Sequence, residues 1–144
     1  MSTSLTRLDA RFRPLAQALI KVCRKLDPRF TITSARRTRA EQTRLYNLWL
    51  KGQNAFPAAA PGTSMHEKGL AVDMHRLNVD PQTDELLHAI GREWVSLGGK
   101  WGGATDPVHF QAPASLGKAA RRSTPSRRGT RSSRRGSSGR SSRR

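Results

Sequence analysis

The chain has 144 residues, 27 Lys plus Arg against 10 Asp plus Glu, a formal charge of +17 and one cysteine. That length allows one small domain. No run approaches the ~20 apolar residues of a transmembrane helix, the first residues lack the apolar segment of a secretory signal, and one cysteine excludes an intrachain disulfide framework or a cysteine-cluster zinc site.

Leu8, Phe12, Leu15, Leu19, Val22 and Leu26 recur at steps of three and four, which predicts an amphipathic helix stopped by Asp27-Pro28. Cys23 falls within that pattern and reads as a small core residue. Phe30 to Ser34 alternates and is rich in β-branched residues, the pattern of a short strand. Thr38 and Glu41 have capping-box spacing and should start a second helix, with Leu45, Leu48 and Trp49 facing inward and Gly52 closing it. Residues 53–63 read as an irregular loop and 69–74 as a strand. Asp80-Pro81 places a proline where a third helix would begin. That helix would carry Leu86, Leu87, Ile90 and Trp94, with Trp94 in the core, and end near Gly98-Gly99. A glycine-rich turn, residues 98–103, should lead to a last strand around Val108 to Gln111. Short, glycine-punctuated strands between helices favour a compact α+β domain over a doubly wound sheet.

Charge divides the chain in two. Ser115 to Arg144 holds Lys118, ten arginines and no acid, so residues 1–114 carry +6 and residues 115–144 carry +11. The tail's only apolar residues are Leu116, Ala119 and Ala120, too few to offset ordering entropy, and disorder is expected there. Such a tail binds polyanions through counterion release. Candidate partners are nucleic acid, lipopolysaccharide, an anionic wall polymer and acidic lipid. No aromatic residue follows Phe110, which argues against base stacking.

Chemistry concentrates in two segments, Ser64 to Asp73 and Asp106 to His109. Only four histidines exist, and His66 and His109 sit in glycine-flanked loops or short strands near acids. Two imidazoles and a carboxylate suit Zn²⁺ with a position left open for water. The pair Asp106 and His109 could supply one base and one ligand. In an extended strand Asp73 and His75 share a face, so His75 is an alternative ligand or a neighbour of one. His88 reads as a partly exposed helix residue.

Ser64-x-His66-x-x-Gly69-x-Ala71-x-Asp73, then Trp101-Gly-Gly103 and Asp106-x-x-His109-Phe110, resembles peptidase family M15, the peptidoglycan peptidases with the D-Ala-D-Ala carboxypeptidase/hedgehog-like fold. The Asp-x-x-His version is similar to the L-alanyl-D-glutamate endopeptidases of phage endolysins. Ile32 to Thr38, Glu41-Gln42 and Leu45-Tyr46 match a further block in order and spacing. The resemblance spans about residues 8–112. It implies a single α+β domain with a small antiparallel sheet at 1–114, followed by the tail at 115–144.

For the site, the resemblance implies that His66, Asp73 and His109 hold zinc, that Asp106 is the general base, and that Arg37 binds the developing oxyanion. Ser64 and Gly69 would be supporting residues, the glycine permitting a tight approach beside the metal. Trp101 either flanks the cleft or packs. Ala35-Arg36 replaces the usual Gly-Tyr, so Arg36 is the alternative to Arg37. The implied activity is hydrolysis of peptidoglycan stem peptides, at the L-Ala–D-Glu bond or as a D-Ala-D-Ala carboxypeptidase. An inactive peptidase fold binding polyanions is the distant alternative. A monomer is expected, made in the cytoplasm and acting at the periplasm or wall after release.

Overall fold

A computed structural model describes residues 3–54 and 57–116. The chain divides at Pro113 into two units, and the arginine-rich segment from residue 117 onward lies outside the described residues, as does the disorder expected of it. The first unit contains the 3₁₀ turn Leu5–Arg7, α1 (Arg13–Leu26), β1 (Phe30–Ser34), α2 (Arg39–Leu50), β2 (Ala71–Arg76), α3 (Glu85–Ser96), β3 (Lys100–Trp101), the 3₁₀ turn Gly103–Thr105 and β4 (His109–Gln111). The strands form one antiparallel sheet in the order β1-β2-β4-β3. This is the α+β architecture with a small antiparallel sheet that the sequence leads one to expect.

Strand alternation separates the two faces of the sheet. Ile32, Val72, Met74 and Phe110 are buried, while Asp73, His75, His109 and Gln111 remain partly accessible. Phe12 and Trp94 meet edge to face with centroids 6.5 Å apart, and Trp94 meets Phe110 at the same distance. Cys23 is buried in this core, where loss of hydration pushes its thiol up to about 11, so it stays a neutral apolar filler.

The helix starting at Thr38 forms as read. Thr38 Oγ1 accepts from the Glu41 amide at 3.1 Å, and the Thr38 amide donates to Glu41 Oε1 at 2.8 Å. Its facing does not match the reading. Gln42 is its one buried residue; Leu45 and Leu48 are half-buried, and Trp49 is 37% exposed, stacked loosely on Tyr46 rather than in the core.

α1 also faces differently. It begins at Arg13 and buries Ala16, Ile20 and Cys23 behind Phe12, leaving Leu15, Val22 and Leu26 exposed. At 100° per residue the two stripes are about a quarter-turn apart, so three-and-four spacing fits both. α3 starts four residues later than its proline suggests. Asp84 is the cap, accepting from the amides of Leu86 and Leu87, whereas Asp80 closes the preceding turn on Gln82. Asp84 also binds Arg76, which reaches Asp27 as well, so one guanidinium ties the ends of α1 and β2 to the start of α3. The glycine-rich turn contains the short strand β3, which the reading omitted.

Candidate metal centre

β2 and β4 pair so that Asp73 stands directly opposite His109, and Ser34 of β1 flanks Asp73 on the other side after a break in register. Cross-strand partners share a face, so this pairing brings two candidate ligands together. His66 comes from the tight turn between α2 and β2. Its amide donates to Ser64 Oγ, and its carbonyl accepts from the amides of Arg37 and Gly69. Gly69 has φ +73°, and a Cβ there would lie 2.8 Å from the Asp9 nitrogen. Its tight approach is therefore to the Leu8–Asp9 backbone, which anchors the turn, not to the metal position as expected.

His66 Nε2 lies 3.0 Å from Asp73 Oδ1 and 3.3 Å from His109 Nδ1, and His109 Nδ1 lies 3.4 Å from Asp73 Oδ1. The far nitrogen of each ring is committed. His66 Nδ1 faces the Ala35 carbonyl at 2.8 Å, and His109 Nε2 faces Gln111 Oε1 at 3.0 Å. Both partners are acceptors, so both far nitrogens carry the proton and both near nitrogens present lone pairs. Two lone pairs and a carboxylate oxygen thus converge on one point, an arrangement a single proton cannot satisfy. A tetrahedral ion with bonds of 2.0–2.1 Å separates its ligand atoms by about 3.3 Å. The triangle fits such an ion, and His66, Asp73 and His109 form the one group of this kind among the described residues.

Protons and a metal ion compete for these same three groups, so the imidazoles share protons with Asp73 only while no ion holds them. Burial pushes the Asp73 carboxyl up, but hydrogen bonds to His109 and His66 outweigh it and hold the group well below the ordinary carboxylate range. Burial pushes His109 down, and the opposing pull of Asp73, Gln111 and Asp106 leaves it raised. At Asp106, burial and the nearby Asp73 charge raise the carboxyl, opposed by His109, His66 and Arg37. Asp106 is thus close enough to feel the cluster, yet its side chain makes no hydrogen bond among the described residues and stands outside the triangle. Gly102 permits this placement, because a Cβ there would collide with the Asp106 backbone.

Arg37 is the inward member of the arginine pair, 12% exposed in its side chain, while Arg36 is exposed. Its Nη2 donates to Asp73 Oδ2 at 3.0 Å, its Nη1 to Gln42 Oε1 and its Nε to Ser34 Oγ. The guanidinium therefore fixes the carboxylate from the side away from the histidines. His75 stands apart from the triangle; its Nδ1 faces the Arg76 carbonyl. Trp101 packs: its Nε1–H donates to the Pro107 carbonyl, its ring contacts His88, and its indole fills the space a side chain at Gly91 would need. Glu67 accepts from Arg39 and the Gly62 amide.

Sequence reasoning missed Gln111, Gln42 and Ser34. Gln111 had a legible signal, since residues two apart on a strand share a face and Gln111 follows His109 by two. Gln42 and Ser34 reach the centre only through Arg37.

A family model described as VanY, D-alanyl-D-alanine carboxypeptidase, matches residues 5–96. No curated protein matches the chain. Among solved structures, vancomycin resistance D,D-pentapeptidase VanY in complex with Zn(II) is 22% identical, with TM-score 0.54 over 73% of this chain and 72% of that one. VanYB in complex with D-Alanine-D-Alanine is 21% identical, with TM-score 0.58 over 80% and 75%. The LdcB LD-carboxypeptidase is 18% identical, with TM-score 0.58 over 83% and 74%. The family match stops at residue 96, before Asp106 and His109. Asp106, at the end of the 3₁₀ turn Gly103–Thr105, and His109, on β4, lie beyond it.

Proposed function

The chain belongs to the VanY family of D-alanyl-D-alanine carboxypeptidases, peptidoglycan-acting peptidases, and on that premise we propose that it is a zinc-dependent hydrolase of the L-Ala–D-Glu bond in stem peptides. The observation that carries the reading is the lone-pair triangle of His66, Asp73 and His109, with the Asp106 carboxyl held beside it and off it. Zinc bound there supplies Lewis acidity and lowers the pKa of a water towards ~7.

The chain's own residues do the rest. Asp106 accepts the proton of the attacking water at its carboxylate and delivers it to the departing amine, so no free proton is needed at neutral pH. Each Nη of Arg37 carries a second N–H beyond the one bonded to Asp73 or Gln42. Those remaining donors are the ones available to the oxygen that gains charge as the carbonyl becomes tetrahedral. The Ala35 carbonyl and Gln111 hold the two imidazoles in the tautomer that binds metal.

The resemblance of the Asp106-x-x-His109 segment to the L-alanyl-D-glutamate endopeptidases favours the endopeptidase. The family description favours a second reading, D-Ala-D-Ala carboxypeptidase activity. Mass analysis of muropeptides after digestion of purified peptidoglycan decides between them. New N-terminal D-Glu supports the endopeptidase, and loss of terminal D-Ala supports the carboxypeptidase. In this reading the enzyme works as a monomer at the wall after release from the cytoplasm, and its basic tail retains it on anionic polymers there.

A further inference from the structure

α1 and α3 enclose a groove of about 370 Å³ whose lining includes none of the candidate metal ligands. Leu15, Leu19, Val22 and Leu26 form one wall; Trp94 and Leu97 belong to the other. The α1 wall is the apolar stripe that the core does not use. Val22 is 57% exposed, Leu26 60% and Leu97 73%, an amount of open apolar surface that a small domain rarely leaves on two adjoining helices without a use.

Two observations say what covers it. α1 carries Arg13, Lys21, Arg24 and Lys25 and no acid, with Lys21 and Lys25 following the stripe on the solvent side. Glu93 is the one charged residue lining the groove. Pro113 also lines it, and the chain runs from there into residues 115–144, which carry eleven cations and no acid. An apolar stripe edged by cations, in a chain that continues in sequence into a polycation, is complementary to a surface that is apolar beneath an anionic layer. A second copy of the chain is a poor match, because pairing the grooves would set two chains of +17 side by side.

We propose that the α1–α3 face docks on an anionic phospholipid bilayer, inserting Leu15, Val22, Leu26 and Leu97 among the acyl chains while the cations of α1 bind the headgroups. This is a binding surface separate from the peptidase site, and it stands or falls independently of the bond that site cleaves.

The test is sedimentation of the full chain with vesicles of phosphatidylethanolamine and phosphatidylglycerol, against vesicles of phosphatidylcholine alone, for the native chain and Val22→Ser/Leu26→Ser. Both substituted positions are solvent-exposed, so the melting temperature should hold, and it is measured alongside. The native chain should sediment with the anionic vesicles only. The double variant should lose at least about tenfold in partition coefficient. Equal partition of native and variant chains would mean that the tail binds lipid without the helices, and would overturn the proposal. Equal sedimentation with both vesicle types would overturn it too. So would a native dimer, seen by light scattering, that the double variant dissolves without any vesicle binding.

Discussion

Replacing Gln111 with leucine removes the acceptor for His109 Nε2–H while leaving the backbone that holds β4 in place. That backbone pairs with Ala71 and Lys100, and the Gln111 carbonyl accepts from Trp94 Nε1 at 2.9 Å. The side-chain contact, 3.0 Å long, is what fixes His109 with its lone pair on Nδ1, aimed at His66 and Asp73. Without it the ring is free to turn and to exchange tautomers, and zinc must select the competent state. Loss of such an outer hydrogen bond costs 10–100-fold in metal affinity, about 1.4–2.7 kcal/mol. Gln111→Glu offers a stronger acceptor and should bind zinc at least as tightly as the native chain. Competition with a chromophoric chelator measures both affinities. Undiminished affinity in Gln111→Leu, or weaker binding in Gln111→Glu, would refute the claim that Gln111 sets the tautomer.

Asp106→Asn should lower kcat on the order of 10²–10⁴-fold while zinc content, measured by elemental analysis, stays at the native level. Loss of the metal in that variant would make Asp106 a ligand. Trp94→Ala, which empties the centre of the core, should cost about 3–5 kcal/mol in denaturant titration, and Trp49→Ala less than half of that. Arg29 and then Arg76 hold Asp27 well below the ordinary range, and at Asp84 burial is outweighed by Arg76 and the amides of Leu87 and Leu86. Both carboxyls titrate lower in the folded state than in the unfolded one. Their contribution is therefore intact above about pH 4 and is lost as pH falls through the folded values, a decline in melting temperature that Arg76→Met should flatten.

The local devices of this fold are written in short words of sequence. Thr38 and Glu41 cap α2 because a hydroxyl and a carboxylate three residues apart meet the same two amides, whatever the rest of the chain does. β1 reads correctly for the same reason. What a single segment does not contain is which of two apolar stripes meets the core. α1 offers both, and only packing against Trp94 and the sheet selects Phe12, Ala16 and Ile20 over Leu15, Val22 and Leu26. Trp49 misleads in the same way: it is apolar and well spaced, but α2 has no sheet beneath it at that point.

The residue types of the site are visible in the chain, whereas their convergence is not. His66 and His109 stand 43 residues apart, and it is the β2–β4 register, pairing Asp73 with His109, together with the turn that carries His66, that brings them together. Of the groups that orient them, Gln111 is legible from its place two residues after His109 on one strand face, whereas the backbone carbonyl of Ala35 carries no signature of metal chemistry.

The most direct test of the account is a zinc titration of chelator-treated chain, followed by hydrolysis of a soluble stem peptide. Activity should rise in proportion to added zinc, level off at one equivalent, and be absent at every zinc level in His66→Ala. Full activity in the chelator-treated chain, or in His66→Ala, would contradict it.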